Sequence, residues 1–386
     1  MAPRRICIVT ETYVPDVNGV ANSLRQLIGA LDPAEFRVQL IRTRPRSDWQ
    51  PEVEEIWCTG MTIPMYPDLQ IGLPCSGLIR QAWDRFQPEI IYIATEGPLG
   101  NSALKLALAR QIPVLSAFHT NFHRYSSYYG LGWVKTLTLN WLRRFHNRTA
   151  ATLVPSQEVA DFLSASDFHN VHVLPHGVDC ELFHPGHRSS GLRQQWGAGS
   201  DERVMLYVGR IAAEKNIPLA IEAYEQLKQQ HAGLKLVMVG DGPLRQQIEV
   251  SHPDIIFAGI QTGEALARHF ASADLFVFPS LTETFGLVTL EALASGIAVV
   301  AFDMAAAHLH IRTGHNGALA EPDNNAAFIS AVDSLLQQDL LPVGQQARMT
   351  AEALSWESVA QQFGHQLEQH LALARQHSSR VSSSLV

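Results

Sequence analysis

Cysteine is scarce: Cys7, Cys58, Cys75 and Cys180 are the only four in 386 residues. No two form a CxxC pair, and Cys7 lies in an apolar run, so reduced thiols and no structural metal are expected. No apolar run approaches the roughly 20 residues that cross a membrane as a helix. The opening Met1-Ala2-Pro3-Arg4-Arg5 meets Glu11 almost at once, which reads as a first strand and not as a signal peptide. A cytoplasmic chain is the expectation. HExxH, GxSxG, Walker A and GxGxxG are absent, and so is any Asp-x-Asp. Metal-dependent hydrolysis, serine hydrolysis, ATP-driven chemistry and dinucleotide binding lose ground accordingly, as does the usual carboxylate clamp for a divalent ion on a sugar nucleotide. Charge is sparse (17% of residues) and uneven: residues 1–180 carry 16 basic and 16 acidic side chains, residues 181–386 carry 13 and 21. An acidic second half argues against nucleic acid as a partner, while the balanced first half can lie closer to an anionic surface.

What the chain does contain is alternation. β-rich runs at Arg5–Thr10, Val38–Arg42, Ile90–Thr95, Val114–Phe118, Thr152–Pro155 and His172–Leu174 are mostly separated by helical stretches near 20–31, 76–86, 100–110, 133–148 and 157–164. The second half repeats the pattern, with strands at Val204–Val208, Leu234–Val239, Ile255–Ala258, Leu275–Pro279 and Ile297–Phe302, and helices near 217–230, 243–250, 263–272, 286–295 and 325–338. Near-continuous apolar strands alternating with helices imply parallel sheets covered on both faces, and the length suits two domains. The expected fold is α/β: two doubly wound, Rossmann-like domains, 1–183 and 184–355, facing across a cleft. A helix at 356–375 would cross back to the first domain. A Gly/Ser/Pro-rich linker at His184–Ser200 and a disordered tail at 376–386 complete the expectation.

The most informative stretch runs from Pro279 to Ala292 and holds two glutamates, Glu283 in a turn after an apolar strand and Glu291 inside a helix. At 1.5 Å per helical residue the carboxylates would stand roughly 10 Å apart, about the span from the ribose of a sugar nucleotide to its sugar. The pair alone occurs by chance; its place at a strand's carboxyl end, where such sheets bind ligands, gives it weight. Arg210 and Lys215 follow the first strand of the second domain, before a helix N-terminus, where two cations would neutralise a diphosphate and stabilise it as it leaves. Asn18-Gly19 opens a helix after the chain's first strand and can bring backbone N–H groups to a phosphate or hydroxyl. His119, with His123 and Arg124 behind it, follows another buried strand and can contact a sugar hydroxyl, although a lone histidine is usually structural. Gly240-Asp241-Gly242 permits close backbone approach to a ligand, or is a plain tight turn.

In this order the motifs resemble the retaining GT-B glycosyltransferases of family 4, over almost the whole chain. Glu283 and Glu291 look like that family's E-x7-E motif, and Gly209-Arg210 with Lys215 is similar to its diphosphate-binding loop. Pro15-x-x-Asn18-Gly19-Val20, Phe118-His119-Thr120, Val154-Pro155-Ser156 and His176-Gly177-Val178-Asp179 fall in the family's order. The resemblance implies hexose transfer from a nucleotide-diphosphate sugar with retention at the anomeric carbon. It implies no cofactor and no metal. Glu291 would hold the ribose, Glu283 and the backbone of Phe285, Gly286 and Leu287 the donor sugar, and Arg210 and Lys215 the diphosphate. Gly19 would let its loop approach that diphosphate, Gly242 would belong to the donor site, and His119 would sit beside the reacting sugar.

Within the family, the Asn18-Gly19-Val20 and His119-Thr120 motifs and the aromatic stretch after them resemble the branch of glycolipid synthases and GDP-mannose-dependent α-mannosyltransferases. That implies GDP-mannose or a UDP-hexose as donor and a membrane lipid such as diacylglycerol or a glycolipid as acceptor, with His123, Arg124 and Tyr125 on the acceptor side. Where many members carry a Gly-Gly pair, this chain reads Asp303-Met304-Ala305-Ala306-Ala307-His308, and Leu287 replaces an Asn of near relatives. The stretch 133–148 reads as a basic, aromatic helix with Val134, Leu137, Trp141 and Phe145 on one face. Such a helix either lies peripherally on the inner face of the cytoplasmic membrane or packs on its own sheet. A soluble sugar acceptor, a sugar-nucleotide 2-epimerase of similar fold and a non-catalytic nucleotide-binding module are the competing readings.

Overall fold

The computed structural model describes residues 2–16, 18–46, 48–63, 66–118, 132–282 and 285–383. The chain divides into two units, residues 1–176 with 356–386, and residues 177–355.

In the first unit the elements are β1 (Arg4–Thr10), α1 (Gly19–Gly29), β2 (Phe36–Thr43), β3 (Glu54–Cys58), β4 (Gly60–Ile63), β5 (Tyr66–Gly72), α2 (Ser76–Phe86), β6 (Ile90–Ile93), α3 (Pro98–Ala109), β7 (Val114–Ala117), α4 (Gly132–His146), β8 (Ala151–Val154), α5 (Gln157–Ala165) and β9 (Val171–Val173). Seven strands form one sheet in the order β3-β2-β1-β6-β7-β8-β9, all parallel. β4 and β5 form a separate antiparallel hairpin.

In the second unit they are α6 (Ser190–Gln195), β10 (Val204–Val208), α7 (Ile217–Leu227), β11 (Lys235–Val239), α8 (Arg245–Ser251), β12 (Ile256–Gly259), α9 (Gly263–Ser272), β13 (Leu275–Phe278), α10 (Leu287–Ala294), β14 (Ala298–Phe302), α11 (Ala305–His310), β15 (Gly317–Ala320), α12 (Asn325–Leu336) and α13 (Leu340–Glu352). Its six-stranded sheet runs β12-β11-β10-β13-β14-β15 and is parallel throughout. The last helix, α14 (Trp356–Ser383), belongs to the first unit. It lays Trp356, Val359, Ala360, Phe363, Leu367 and Leu371 on the core beside α1, a 3- and 4-residue spacing that makes one helical stripe.

The doubly wound expectation stands, with corrections at particular places. The units part at 176/177 and not at 183/184. Val178 is already bridged to Ser355, its N–H donates to Leu354 at 2.9 Å, and Phe183 is buried in the second core. The expected linker 184–200 is packed structure. Arg193 is buried there, pairing with Asp274 at 2.9 Å and donating to three carbonyls, while Arg188 takes the other oxygen of Asp274 at 2.7 Å. α14 continues to Ser383, through most of the tail expected to be disordered. Cys58 and Cys75, expected as free thiols, form a disulfide. The end of β3 and the start of α2 bring their Cα atoms to 6.4 Å, within bridging range. Cys7 and Cys180 are free.

Candidate active site

Both sheets reverse direction, and the reversals fall where the motifs are. In the second unit β11 and β12 build outward from β10 on one side, and the chain returns to β13 on the other. Loops leaving the carboxyl ends of β10 and β13 therefore diverge and open a crevice, the ordinary ligand site of such sheets. The loop after β10 carries Arg210 and Lys215; the loop after β13 leads to Gly286 and Glu291.

The β10 loop is tightly built. Tyr207 donates its hydroxyl to the carbonyl of Arg210 at 3.0 Å, and Ala213–Lys215 form a 3-10 turn. Arg210 extends into solvent and meets Glu214 at 3.0 Å. An exposed pair of this kind is weak, so an incoming diphosphate can take the guanidinium from Glu214. Lys215 is half-buried. Thr282, the residue before Glu283, donates its hydroxyl to the carbonyl of Glu214 at 2.8 Å, which ties the two loops across the crevice.

Gly242 has a reason closer to hand than a ligand. A Cβ there would lie 2.3 Å from the carbonyl oxygen of Ile211, and one at Gly240 would lie 2.0 Å from that of Gly209. The Ile211 N–H donates to the carbonyl of Asp241 at 2.9 Å. The two glycines let the β10 and β11 loops touch backbone to backbone.

Gly286 precedes α10 with φ 88° and ψ 55°, a left-handed conformation that favours glycine, and no side chain caps the helix. Phe285 presents its carbonyl to the N–H of Ala306 at 2.7 Å, so the loop after β14 closes one side of the site. Between them is a shallow recess, open to solvent, lined by Ser280, Phe285, Gly286, Met304 and Ala305 among others. Leu287 is the first residue of α10, and Glu291 is one helical turn further on. Burial pushes the Glu291 carboxyl up to about 7, and among the described residues nothing hydrogen-bonds to it. A half-buried carboxyl without a partner carries a desolvation cost in the free protein and is suited to accept hydroxyls from a ligand.

In the first unit the reversal lies between β1 and β6. Asn18 caps α1, its side-chain oxygen accepting from Ala21 N–H at 2.9 Å while its amide donates to the Thr12 hydroxyl at 2.7 Å. A Cβ on Gly19 would have nothing within 4 Å, so the backbone there is open to close approach. Glu11, at the end of β1, accepts from Leu99 N–H at the start of α3 at 3.0 Å. Burial pushes its carboxyl to about 7 against the lowering effect of N–H groups from Leu99 and Gly72, and the Glu96 charge raises it further.

His119, His123, Arg124, Tyr125 and Glu283 lie outside the described residues. Sequence reasoning missed Glu11, Arg42 and the Asp303–His308 pair, whose Oδ1 and Nδ1 lie 2.7 Å apart beside the recess. Arg42 had a readable signal, a charge inside a strand that a two-sided sheet buries.

Parts of both units match known families. Residues 202–338 match "Glycosyl transferases group 1", and residues 17–182 match "Glycosyltransferase Family 4". The chain is 30% identical over 374 residues to the GDP-mannose-dependent alpha-mannosyltransferase of Mycolicibacterium smegmatis, covering 94% of this chain and 96% of that one. It is 28% identical over 369 residues to sulfoquinovosyl transferase SQD2 of Arabidopsis thaliana, covering 92% and 71%. Its structure resembles sucrose-phosphate synthase from Thermosynechococcus elongatus with a TM-score of 0.75 at 20% identity, covering 96% and 100%. The fold is that of the GT-B glycosyltransferases. The chain belongs to glycosyltransferase family 4, and it is a glycosyltransferase.

Proposed function

We propose that this glycosyltransferase moves a hexose from GDP-mannose or a UDP-hexose to a membrane lipid such as diacylglycerol or a glycolipid, with retention at the anomeric carbon and without a metal ion. The observation that carries the donor half is the partnerless, half-buried carboxyl of Glu291 at the strand reversal of the second unit. Glu291 accepts the ribose hydroxyls. Arg210 and Lys215 neutralise the diphosphate, with Arg210 released from Glu214. Glu283 and the N–H groups of Phe285, Gly286 and Leu287 hold the hexose, and Asn18 and Gly19 bring their backbone to the phosphate. As the bond from the anomeric carbon to phosphate breaks, the acceptor oxygen bonds that carbon on the same face, and its proton passes to the departing phosphate oxygen. His119 lies beside the sugar, and His123, Arg124 and Tyr125 take the acceptor side.

The lipid half is supported by a relative named for a lipid product, the alpha-monoglucosyldiacylglycerol synthase of Streptococcus pneumoniae, to which the chain is 29% identical over 316 residues, covering 77% of this chain and 70% of that one, and by α4. That helix divides its apolar residues. Leu142 and Phe145 are buried, whereas Leu137 is 59% and Trp141 46% exposed, with exposed Arg144 and Arg148 nearby in the chain. The sheet covers only part of the stripe, and the remainder suits the surface of an anionic membrane. Peripheral attachment to the inner face of the cytoplasmic membrane follows from that reading; among the described residues no helix is long and apolar enough to cross a membrane.

Arg210→Ala and Lys215→Ala test the donor half. Each should cost about 10²–10³ in turnover, the scale for losing one electrostatic stabiliser, with an unchanged circular-dichroism spectrum. Near-parental turnover in either variant at saturating donor contradicts the assignment.

A further inference from the structure

Arg42 is fully buried at the end of β2, and among the described residues no carboxylate pairs with it. Asp16 and Glu55 act on it only at longer range. Its guanidinium is spent on backbone. Nη2 donates to the carbonyl of Tyr13 at 3.1 Å, Nη1 to the carbonyl of Val14, and Nε to its neighbour Thr43 at 3.0 Å. The cation also lies 5.3 Å from the centre of the Tyr13 ring. Thr43, next along the strand, donates its hydroxyl to the carbonyl of Glu11 at 2.9 Å. Two consecutive residues of β2 thus hold three carbonyls of the loop that joins β1 to α1, the loop ending in Asn18 and Gly19.

We propose that Arg42 is a positioning residue: it fixes the β1–α1 loop so that Asn18 and Gly19 are presented for transfer. Residues 11–16 lie in neither strand nor helix, and Tyr13 and Val14 are buried, so their carbonyls need donors from elsewhere. The Tyr13 carbonyl has one more, the Asp16 N–H at 3.0 Å. For the Val14 carbonyl Arg42 is the donor. A planar guanidinium reaches adjacent carbonyls at once, which the point charge of a lysine does not. A buried, carboxylate-free arginine is an expensive way to stabilise a fold; a leucine or methionine in the same strand would pack without that cost. The expense is understandable if the loop's geometry, and not the core, is what it secures. Below Arg42 the same loop is held from the other side, where Glu11 N–H donates to the Thr95 hydroxyl at 2.8 Å.

This inference rests on the proposed donor role of Asn18 and Gly19, and two readouts keep the two separable. Hydrogen exchange followed by mass spectrometry reads the loop without any activity. In Arg42→Met, peptides covering residues 11–24 should exchange at least tenfold faster, with peptides of the second unit unchanged. Kinetics read the consequence. Turnover should fall at least tenfold in Arg42→Met and by a smaller factor in Arg42→Lys, and the calorimetric affinity for the bare nucleoside diphosphate should weaken in the same order. Parental exchange in the loop overturns the proposal even if the chain transfers no sugar. So does turnover within twofold of the parent in a folded variant, and that result leaves the donor site standing if Arg210→Ala is inactive. If Arg42→Met does not fold, the same two limits apply to Arg42→Lys.

Discussion

At the scale of the residue, Glu291 is a group whose cost and use have opposite signs. Burial raises its pKa from the ordinary 4.5 to about 7. A carboxyl raised in the fold contributes stability that is complete below its unfolded pKa and is lost as pH rises through about 7. Above that pH the ionised side chain works against the ligand-free fold. Glu291→Gln should therefore raise the ligand-free Tm at pH 8, by no more than about 3 kcal/mol of stability for a shift of this size, and the gain should vanish near pH 4. The same variant should bind nucleoside diphosphate more weakly by about 1.5–3 kcal/mol, the worth of a hydrogen bond to a charged group. Differential scanning calorimetry at the two pH values and titration calorimetry measure both. A variant less stable at pH 8 with undiminished affinity would make Glu291 a structural residue. Its place was legible in the sequence because a glutamate in the first turns of a helix after an apolar strand lands at a strand's carboxyl end. Arg42 was not singled out because its function depends on carbonyls 28 and 29 residues away, a pairing that spacing does not reveal.

At the scale of the element, most of the parallel strands were readable because both faces are covered and each is a short apolar run; β3 was not, since Glu54 and Glu55 open it. The β4–β5 hairpin was not read either, since its alternation lasts only four residues in β4 and Pro67 breaks the run that becomes β5. β15 and α11 were missed for a different reason: Gly317 and the alanines of 305–307 carry little pattern of either period. α11 also contains a strained position. Ala305 has φ 51°, the left-handed region that costs a residue with a Cβ roughly 1–2 kcal/mol, at the place where many family members carry glycines. Ala305→Gly should relieve that strain and stabilise the protein by about 1 kcal/mol after the entropy of glycine is counted, read as a higher midpoint in urea with the same slope. A lower midpoint would mean that the Ala305 methyl group contributes packing that outweighs the strain. For α4 the sequence posed a choice between core and surface, and the helix does both: Leu142 and Phe145 face in while Leu137 and Trp141 face out. A periodic stripe does not say how far the sheet beneath it extends.

At the scale of the whole molecule, two units of one architecture each bring part of the candidate site to a strand reversal. The second places its cations and Glu291 at one strand reversal, and the first places the Asn18–Gly19 loop at another. The balanced charge of the first half and the acidic second half fit the proposed acceptor side at an anionic surface and the proposed donor side, where a few placed cations handle the anion. The boundary at 176/177 and the return of α14 follow from packing that composition does not show: Val178 pairs with Ser355, and the apolar stripe of α14 completes the first core.

The central claim is metal-independent sugar transfer from a nucleotide donor to a lipid, with Arg210 and Lys215 supplying the positive field. The direct measurement is mass-spectrometric detection of product after incubating the protein with GDP-mannose or UDP-hexoses and anionic vesicles containing diacylglycerol or a glycolipid, in excess EDTA and again with added Mg²⁺ or Mn²⁺. The account predicts an α-linked hexosyl lipid formed at the same rate with and without chelator, and lost in Arg210→Ala. Transfer only to soluble sugars, or a lipid product that disappears in EDTA and returns with the metal, would contradict it.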